Sequence, residues 1–162
     1  MKRIGIISDT HGTFDEPLRQ FLAETDEIWH AGDIGSLELA DRIAEFKPLR
    51  AVHGNIDGDL TRRAYPGFLL FECEGLKVAM THIGGNFYPR VSEALAAQKP
   101  DVFVCGHSHI LKIFRDGTFG GNTLNINPGA AGCRGIHKVR TAVRLTIDGG
   151  TINNVEVGEW PR

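Results

Sequence analysis

The sequence predicts a single α/β domain, and three observations carry that prediction. Apolar runs alternate with helix-like segments through the first half of the chain. The C-terminal part switches to a period-two pattern closed by a tight turn. No linker, internal repeat or low-complexity segment divides the 162 residues, a length that lets one domain (residues 1–162) bury a proper core.

Taken in order, "RIGIIS" (3–8) reads as a buried strand. The stretch "FDEPLRQFLAE" that follows is helical, with Pro17 tolerated in its first turn. "DEIWHAGD" (26–33) is the second strand. A helix from about Ser36 to Phe46 puts Leu37, Ala40, Ile43 and Ala44 on one face and Glu38 near its positive end. "LRAVHGN" (49–55) is the third strand, and the βαβαβ rhythm favours parallel pairing with helices packed on the sheet.

The second half changes character. "FLLFECEGLKVAMTHIG" (68–84) reads as two strands folded about Glu74-Gly75. A helix over "PRVSEALAAQ" (89–98) leads to "DVFVC", and "ILKIF" and "TLNIN" are short strands. Val139, Thr141, Val143, Leu145 and Ile147 alternate with Lys138, Arg140, Arg144 and Thr146, which predicts a strand with one buried and one wet face. Asp148-Gly149-Gly150 then turns into "TINNVEV" to close a hairpin.

Composition excludes several classes. The formal charge of −2 gives no general cationic surface, so nucleic-acid binding has no electrostatic support. "MKRIGIISD" meets Asp9 too soon for a signal peptide, and no run is long enough to span a bilayer. Three cysteines, Cys73, Cys105 and Cys133, without CxxC spacing argue for a reducing compartment, and a cytoplasmic protein is expected. No GxxxxGK phosphate loop is present, which argues against a nucleoside triphosphatase.

Polar residues gather where the strands end. The first strand runs into Asp9-Thr10-His11-Gly12, the second into His30-Ala31-Gly32-Asp33, and the third into Gly54-Asn55-Ile56-Asp57. Later strands end in Thr81-His82 and in Gly106-His107-Ser108-His109. In open α/β sheets ligands collect beyond the carboxyl ends of the strands, so these groups can converge. Two carboxylates, one amide carbonyl and four imidazoles form an oxygen and nitrogen donor set without thiolate. Such a set suits Mn, Fe, Co, Ni, Zn or Mg. Seven donors exceed the need of one ion with open positions but fit two ions that share a bridging carboxylate.

The ordered motifs D-x-H, G-D, G-N-x-D, H and G-H-x-H resemble the calcineurin-like metallophosphoesterase superfamily. The short length and "NPGAAG" are most similar to its small YfcE-type phosphodiesterases. The resemblance runs from residue 4 to about residue 147. It implies a four-layer α-β-β-α sandwich of two mixed sheets. It also implies that Asp9, His11 and His109 hold one divalent ion, that Asn55, His82 and His107 hold a second, and that Asp33 bridges them. Mn²⁺ comes first among the expected metals. The implied activity is hydrolysis of a P–O bond in a small phosphodiester by a metal-bound hydroxide attacking in line. Asp33 and Asn55 would serve the reaction, with Asn55 also on the substrate, and Arg134 beyond the Asn127-Pro128-Gly129 turn would hold substrate phosphate. Asp57 would fix the loop.

Two positions depart from the family pattern. Larger members carry a histidine that helps protonate the leaving group at the x of G-N-x-D, where this chain has Ile56. Ile83 stands where a glycine usually follows the ligand histidine. With no material for a cap, an open cleft is expected.

Taken singly, these residues have ordinary explanations. Asp9, Asp33 and Asn55 each sit in sequences that form turns or helix caps, and His82 alone would read as a satisfied core histidine. The paired His107 and His109 are costly beside a buried strand without a partner, and the seven together favour a site. His30 reads as structural, and His137 as a surface residue at the start of a strand. Cys133 with His137 is a remote nucleophile and base pair. Tyr88 and Arg90 are weaker substrate contacts. The competing functions are a protein-interaction scaffold, since some relatives of the fold have lost ligands and act as assembly subunits, and a phosphomonoesterase. A monomer and a homo-oligomer are both open.

Overall fold

The computed structural model describes residues 1–84, 89–117 and 119–162, with side chains given outside 89–92. Ten strands and four helices follow one another as β1 (Lys2–Ile7), α1 (Glu16–Leu22), β2 (Glu27–His30), α2 (Leu37–Phe46), β3 (Leu49–Ala51), α3 (Asp59–Ala64), β4 (Phe68–Cys73), β5 (Leu76–Thr81), α4 (Pro89–Gln98), β6 (Val102–Val104), β7 (Leu111–Asp116), β8 (Thr123–Pro128), β9 (Val139–Asp148) and β10 (Thr151–Pro161). They form two five-stranded sheets, ordered β10-β9-β1-β2-β3 and β4-β5-β6-β8-β7. In the first sheet β1, β2 and β3 are parallel and β9 and β10 antiparallel. In the second, β5, β6 and β8 are parallel, with β4 and β7 antiparallel at its edges.

Strand alternation explains the layering. Ile4 and Ile6 of β1 face Val78 and Met80 of β5, Val102 and Val104 of β6, and Val143, Leu145 and Ile147 of β9 in one core between the sheets. The opposite side of the first sheet, with Ile7, Ile28 and Ala142, packs on Leu18 and Leu22 of α1 and on Leu39, Ala40 and Ile43 of α2. On the far side of the second sheet, Ala79 and Phe103 pack with Leu95 of α4. The molecule is thus the four-layer α-β-β-α sandwich, and each sheet is mixed. Full burial of each of the larger side chains here, the Val, Ile, Leu, Met and Phe, contributes roughly 1.5–3 kcal/mol.

Four local expectations change. The outward face of β9 is wet only in part: Lys138 just before the strand is exposed and Arg144 and Thr146 are half-buried. Arg140 is buried at 4% exposure, as is Ala142 at 0%, because α1 covers that end of the sheet. The guanidinium lies fork to fork on Asp15 just before α1, with both N···O distances 2.8 Å, and its Nε donates to the Ala131 carbonyl at 2.8 Å. Secondly, α3 over "DLTRRA" carries no apolar stripe and so has no helical period to read. Thirdly, β1, β2 and β3 leave the ladder earlier than their apolar runs do, at Ile7, His30 and Ala51. The residues beyond them form the loops of the site. β10 runs past its expected end to Pro161, across an irregularity between Asn153 and Glu156.

Candidate metal centre

The parallel strands of both sheets end on the same rim, and the loops there are stitched together by main-chain hydrogen bonds. Asp9 N–H donates to the Gly32 carbonyl at 2.9 Å, and His11 N–H donates to that of Asp33 at 3.0 Å. Gly106 N–H donates to the His82 carbonyl at 2.9 Å and Gly132 N–H to the Asp9 carbonyl at 3.1 Å. Two glycines are required by contact. A Cβ at Gly54 would lie 2.1 Å from Asp33 Oδ1, and one at Gly106 would lie 2.0 Å from Ser8 Oγ. Asp9, Asp33, His11, His107 and His109 all have positive φ, between 44° and 69°. Left-handed backbone at non-glycine residues costs of order 1–3 kcal/mol each and persists where surrounding structure imposes it. Here it turns each side chain back over the rim.

The seven residues singled out in the sequence meet there. Ligand atoms of Asp9, His11 and His109 lie within 4.8 Å of one another, and those of Asp33, His82 and His107 form a second such group. Asn55 joins the second group, its Oδ1 3.1 Å from His107 Nδ1. That is the spacing of two neighbouring ligands on one octahedral ion, about 3 Å for bonds of roughly 2.1 Å. Asp33 lies between the groups. Its Oδ1 accepts the Ile56 N–H at 3.0 Å. Its Oδ2 is 3.5 Å from His11 Nε2 and 3.2 Å from His82 Nε2. A single oxygen, not the two ends of the carboxylate, therefore faces both groups.

Electrostatics supports a cation site. Burial works to raise the Asp9 pKa, but the imidazoles of His109 and His11 beside it outweigh burial and hold the carboxyl well below the usual carboxylate range. Burial likewise opposes Asp33, whose carboxyl is kept low by His82 and by the Ile56 N–H. For His82, burial lowers and the two aspartates raise, with a net upward shift. His109 is raised by Asp9 against its burial. Among the described residues three buried side-chain atoms nevertheless lack any hydrogen-bond partner, namely Asp9 Oδ1, His11 Nε2 and His82 Nε2. Buried polar atoms left so are rare and call for a partner. These three converge on the two groups, and a divalent cation in each fits them. The nearby Cys105 does not add a thiolate, because burial, with Asp9 second, pushes its thiol up to about 11.

Surrounding residues hold the donors in place. Asp57 accepts N–H groups of Gly54 at 2.8 Å, Gly35 at 2.9 Å and Ile34 at 3.2 Å, which ties the Asn55 and Asp33 loops together. His30 is wholly buried; its Nδ1 accepts the Gly32 N–H, so its Nε2 donates to Thr10 Oγ1 at 2.8 Å. His82 Nδ1 donates to the Ala31 carbonyl at 2.7 Å and leaves Nε2 free for the site. Sequence reading missed Ser8, whose hydroxyl donates to Asp9 Oδ2 at 2.7 Å. It also missed Asn127, whose amide donates to the Gly106 carbonyl and to Ser108 Oγ, and so shapes the His107–His109 loop. The "NPG" turn was a signal for Asn127; Ser8 had none beyond its place next to Asp9.

Other candidates fall elsewhere. Arg134 is exposed on the loop after β8 and makes no hydrogen bond or ion pair among the described residues. Ile56 is 47% exposed at the rim. Tyr88 and the side chain of Arg90 lie outside the described residues. His137 is not a free surface residue. It is half-buried, and both its ring nitrogens are engaged, by His109 and by the Gly132 carbonyl, so it has none to spare as a base for the exposed Cys133. Beside Asn55 and His82 opens a cleft of about 410 Å³ that also involves His53, Arg62, Phe68 and Ile83.

Comparison with known proteins agrees with this geometry. A "Probable metallophosphoesterase" of Methanothermobacter thermautotrophicus is 31% identical over 119 residues, covering 65% of this chain and 66% of the relative. The chain thus spans just under two thirds of that relative. The crystal structure of Chaetomium thermophilum Vps29 superposes with a TM-score of 0.75 at 16% identity, covering 99% of this chain and 97% of the other. A structure described as a novel archaeal phosphodiesterase superposes with a TM-score of 0.72 at 23% identity, covering 96% and 99%. The model of the calcineurin-like phosphoesterase superfamily domain matches residues 1–150. Motif order, layered sheets and rim donors therefore have one common explanation: the chain belongs to the calcineurin-like phosphoesterase superfamily.

Proposed function

We propose that the protein is a dinuclear metal-dependent phosphodiesterase acting on small diesters, with Mn²⁺ as the working metal. One observation carries the reading most directly, the position of Asp33 Oδ2 within 3.5 Å of His11 Nε2 and 3.2 Å of His82 Nε2. In this reading Asp9, His11 and His109 hold one ion, Asn55, His82 and His107 the other, and Asp33 both. Two divalent ions so held supply acidified water for attack on phosphorus at neutral pH and offset charge on the phosphate oxygens.

The chain's own groups do the rest. The Asn55 amide binds a phosphate oxygen through its nitrogen while Asp57 keeps its loop in place. Arg134 reaches substrate phosphate from the loop after β8. The cleft beside Asn55 and His82, walled by Phe68 and Ile83, takes one of the two ester groups. Arg62 lines it and donates to the carbonyls of Asp57 at 2.6 Å, Gly54 at 3.3 Å and Asn55 at 3.2 Å, so it also braces the Asn55 loop. At the position of the family's leaving-group histidine, the Ile56 side chain can neither donate nor accept a proton. Aryl diesters with stable leaving groups should therefore turn over better than alkyl diesters, and a rate independent of leaving-group pKa would contradict this.

The direct test is a metal titration with a chromogenic aryl phosphodiester, run beside the matching monoester. Turnover of the diester that appears with Mn²⁺ and disappears with chelator supports the proposal. Faster turnover of the monoester makes the protein a phosphomonoesterase. No turnover with Mn, Fe, Co, Ni, Zn or Mg turns the reading to a non-catalytic scaffold.

A further inference from the structure

Among the candidate ligands, His109 has an unusual support: its outward nitrogen meets another imidazole. His109 Nδ1 and His137 Nδ1 are 3.2 Å apart, and the rings stand edge to face, with centroids 5.0 Å apart and planes at 79°. Two unprotonated nitrogens would repel at that distance, so one carries the hydrogen. Which one follows from the other side of His137, where Nε2 lies 2.9 Å from the Gly132 carbonyl. A carbonyl oxygen can only accept, so His137 Nε2 is the N–H. In the uncharged ring His137 Nδ1 is then a lone pair, and His109 Nδ1 must donate to it. His109 Nε2 lies 3.2 Å from Asp9 Oδ1 in the first donor group, where the carboxylate competes for a hydrogen; with a cation held between the two, both would offer lone pairs and the His109 hydrogen would stay on Nδ1.

We propose that His137 is a positioning residue that sets the His109 tautomer, so that the Nε2 lone pair is presented to an ion held with Asp9 and His11. The inference rests on the reading of the rim as a metal centre and adds a residue from outside its seven donors. Local packing is shaped around the pair. Gly135 has φ +131°, and a Cβ there would lie 2.4 Å from His109 Nδ1 and 2.9 Å from His137 Nδ1. The relay also closes on itself, since Gly132 accepts from His137 and donates to the Asp9 carbonyl. One short loop therefore controls the orientation of two ligands of the same group. An acceptor on the far nitrogen of a ligand histidine fixes its ring and makes it more basic, and its loss typically costs 10–100-fold in metal affinity.

The test uses the full chain and two variants. His137→Phe keeps a ring but removes the acceptor, and His137→Asn returns an oxygen near the Nδ1 position. In metal-free protein, at a pH where the imidazoles are uncharged, ¹⁵N NMR should find more of the His109 hydrogen on Nδ1 in the wild type and in His137→Asn than in His137→Phe, where Asp9 draws it to Nε2. Mn²⁺ titration should show one of two ions weakened about 10–100-fold in His137→Phe, the other unchanged, and most of the loss restored in His137→Asn. The same division of the His109 hydrogen between its two nitrogens in the wild type and His137→Phe, or identical Mn²⁺ affinities in all three proteins, would overturn the inference. Failure of the wild type to bind Mn²⁺ while His137→Phe still shifts the His109 hydrogen towards Nε2 would instead strike the metal-centre reading and leave the hydrogen-bond relay standing.

Discussion

His30 ends β2 and Asp33 stands three residues on, in the loop that follows, and each makes a separate prediction. Asp33→Asn keeps the oxygen that accepts from Ile56 and removes the negative charge facing both donor groups. Activity with Mn²⁺ should fall at least about 100-fold, and the number of ions bound should drop below that of the wild type, as measured by kcat/KM and by metal analysis after dialysis. His30 is a stability matter. Burial, ahead of the neighbouring charges, lowers its pKa from 6.5 to about 4. The unfolded chain therefore takes up this proton first, and stability falls as pH drops from 6.5 towards 4, by an amount on the order of 3 kcal/mol. Urea unfolding at pH 7 and at pH 4.5 should show a smaller acid loss in His30→Gln than in the wild type. Equal losses would mean that His30 takes up its proton alike in the folded and unfolded chain.

At the scale of elements, the contact between β9 and the start of α1 is the one the period-two pattern misjudged. Arg140 is nearly fully buried and its charge is met by Asp15, whose own carboxyl is kept low chiefly by the Arg140 hydrogen bonds. Asp15 sits at the N-cap of α1 yet makes no side-chain cap bond there, because both carboxylate oxygens are turned to the guanidinium. Asp15→Ala should therefore cost about 2 kcal/mol through the unpaired arginine rather than through a lost cap. For a chain of this size that is a fall in Tm of roughly 4–8 °C, readable by circular dichroism. An unchanged Tm would mean that water replaces the carboxylate without loss. The same arginine holds the Ala131 carbonyl, so the element contact reaches the loop that carries His137.

For the molecule as a whole, loops of the two sheets meet on the rim through buried atoms that lack a hydrogen-bond partner among the described residues. The buried, unpartnered atoms belong to both sheets' loops, with Asp9 and His11 after β1 and His82 after β5. Binding should therefore stabilise the fold globally. At Mn²⁺ about 100-fold above its dissociation constant, each ion adds roughly 2.7 kcal/mol, a rise in Tm of about 5–10 °C per ion. A thermal melt with Mn²⁺, then with excess chelator, should show the rise and its reversal. A melt indifferent to metal would contradict the proposed centre. Among the described residues no helix is long and apolar enough to cross a membrane.

The sequence by itself determined the strands, their mixed pairing and the placing of polar donors at strand ends. These are local patterns, carried by alternation within a few residues and by glycine beside His11, Asp33, Asn55 and His107. It could not determine contacts between residues distant along the chain. Asp33 offering one oxygen rather than two depends on Ile56, 23 positions away. The buried face of β9 depends on Asp15, 125 positions from Arg140. His137 looked like a surface residue because the alternation that follows it says nothing of His109, 28 positions earlier. Periodicity records which way a side chain leaves its own strand. Only the tertiary structure decides what meets it there, since that depends on how separate loops converge.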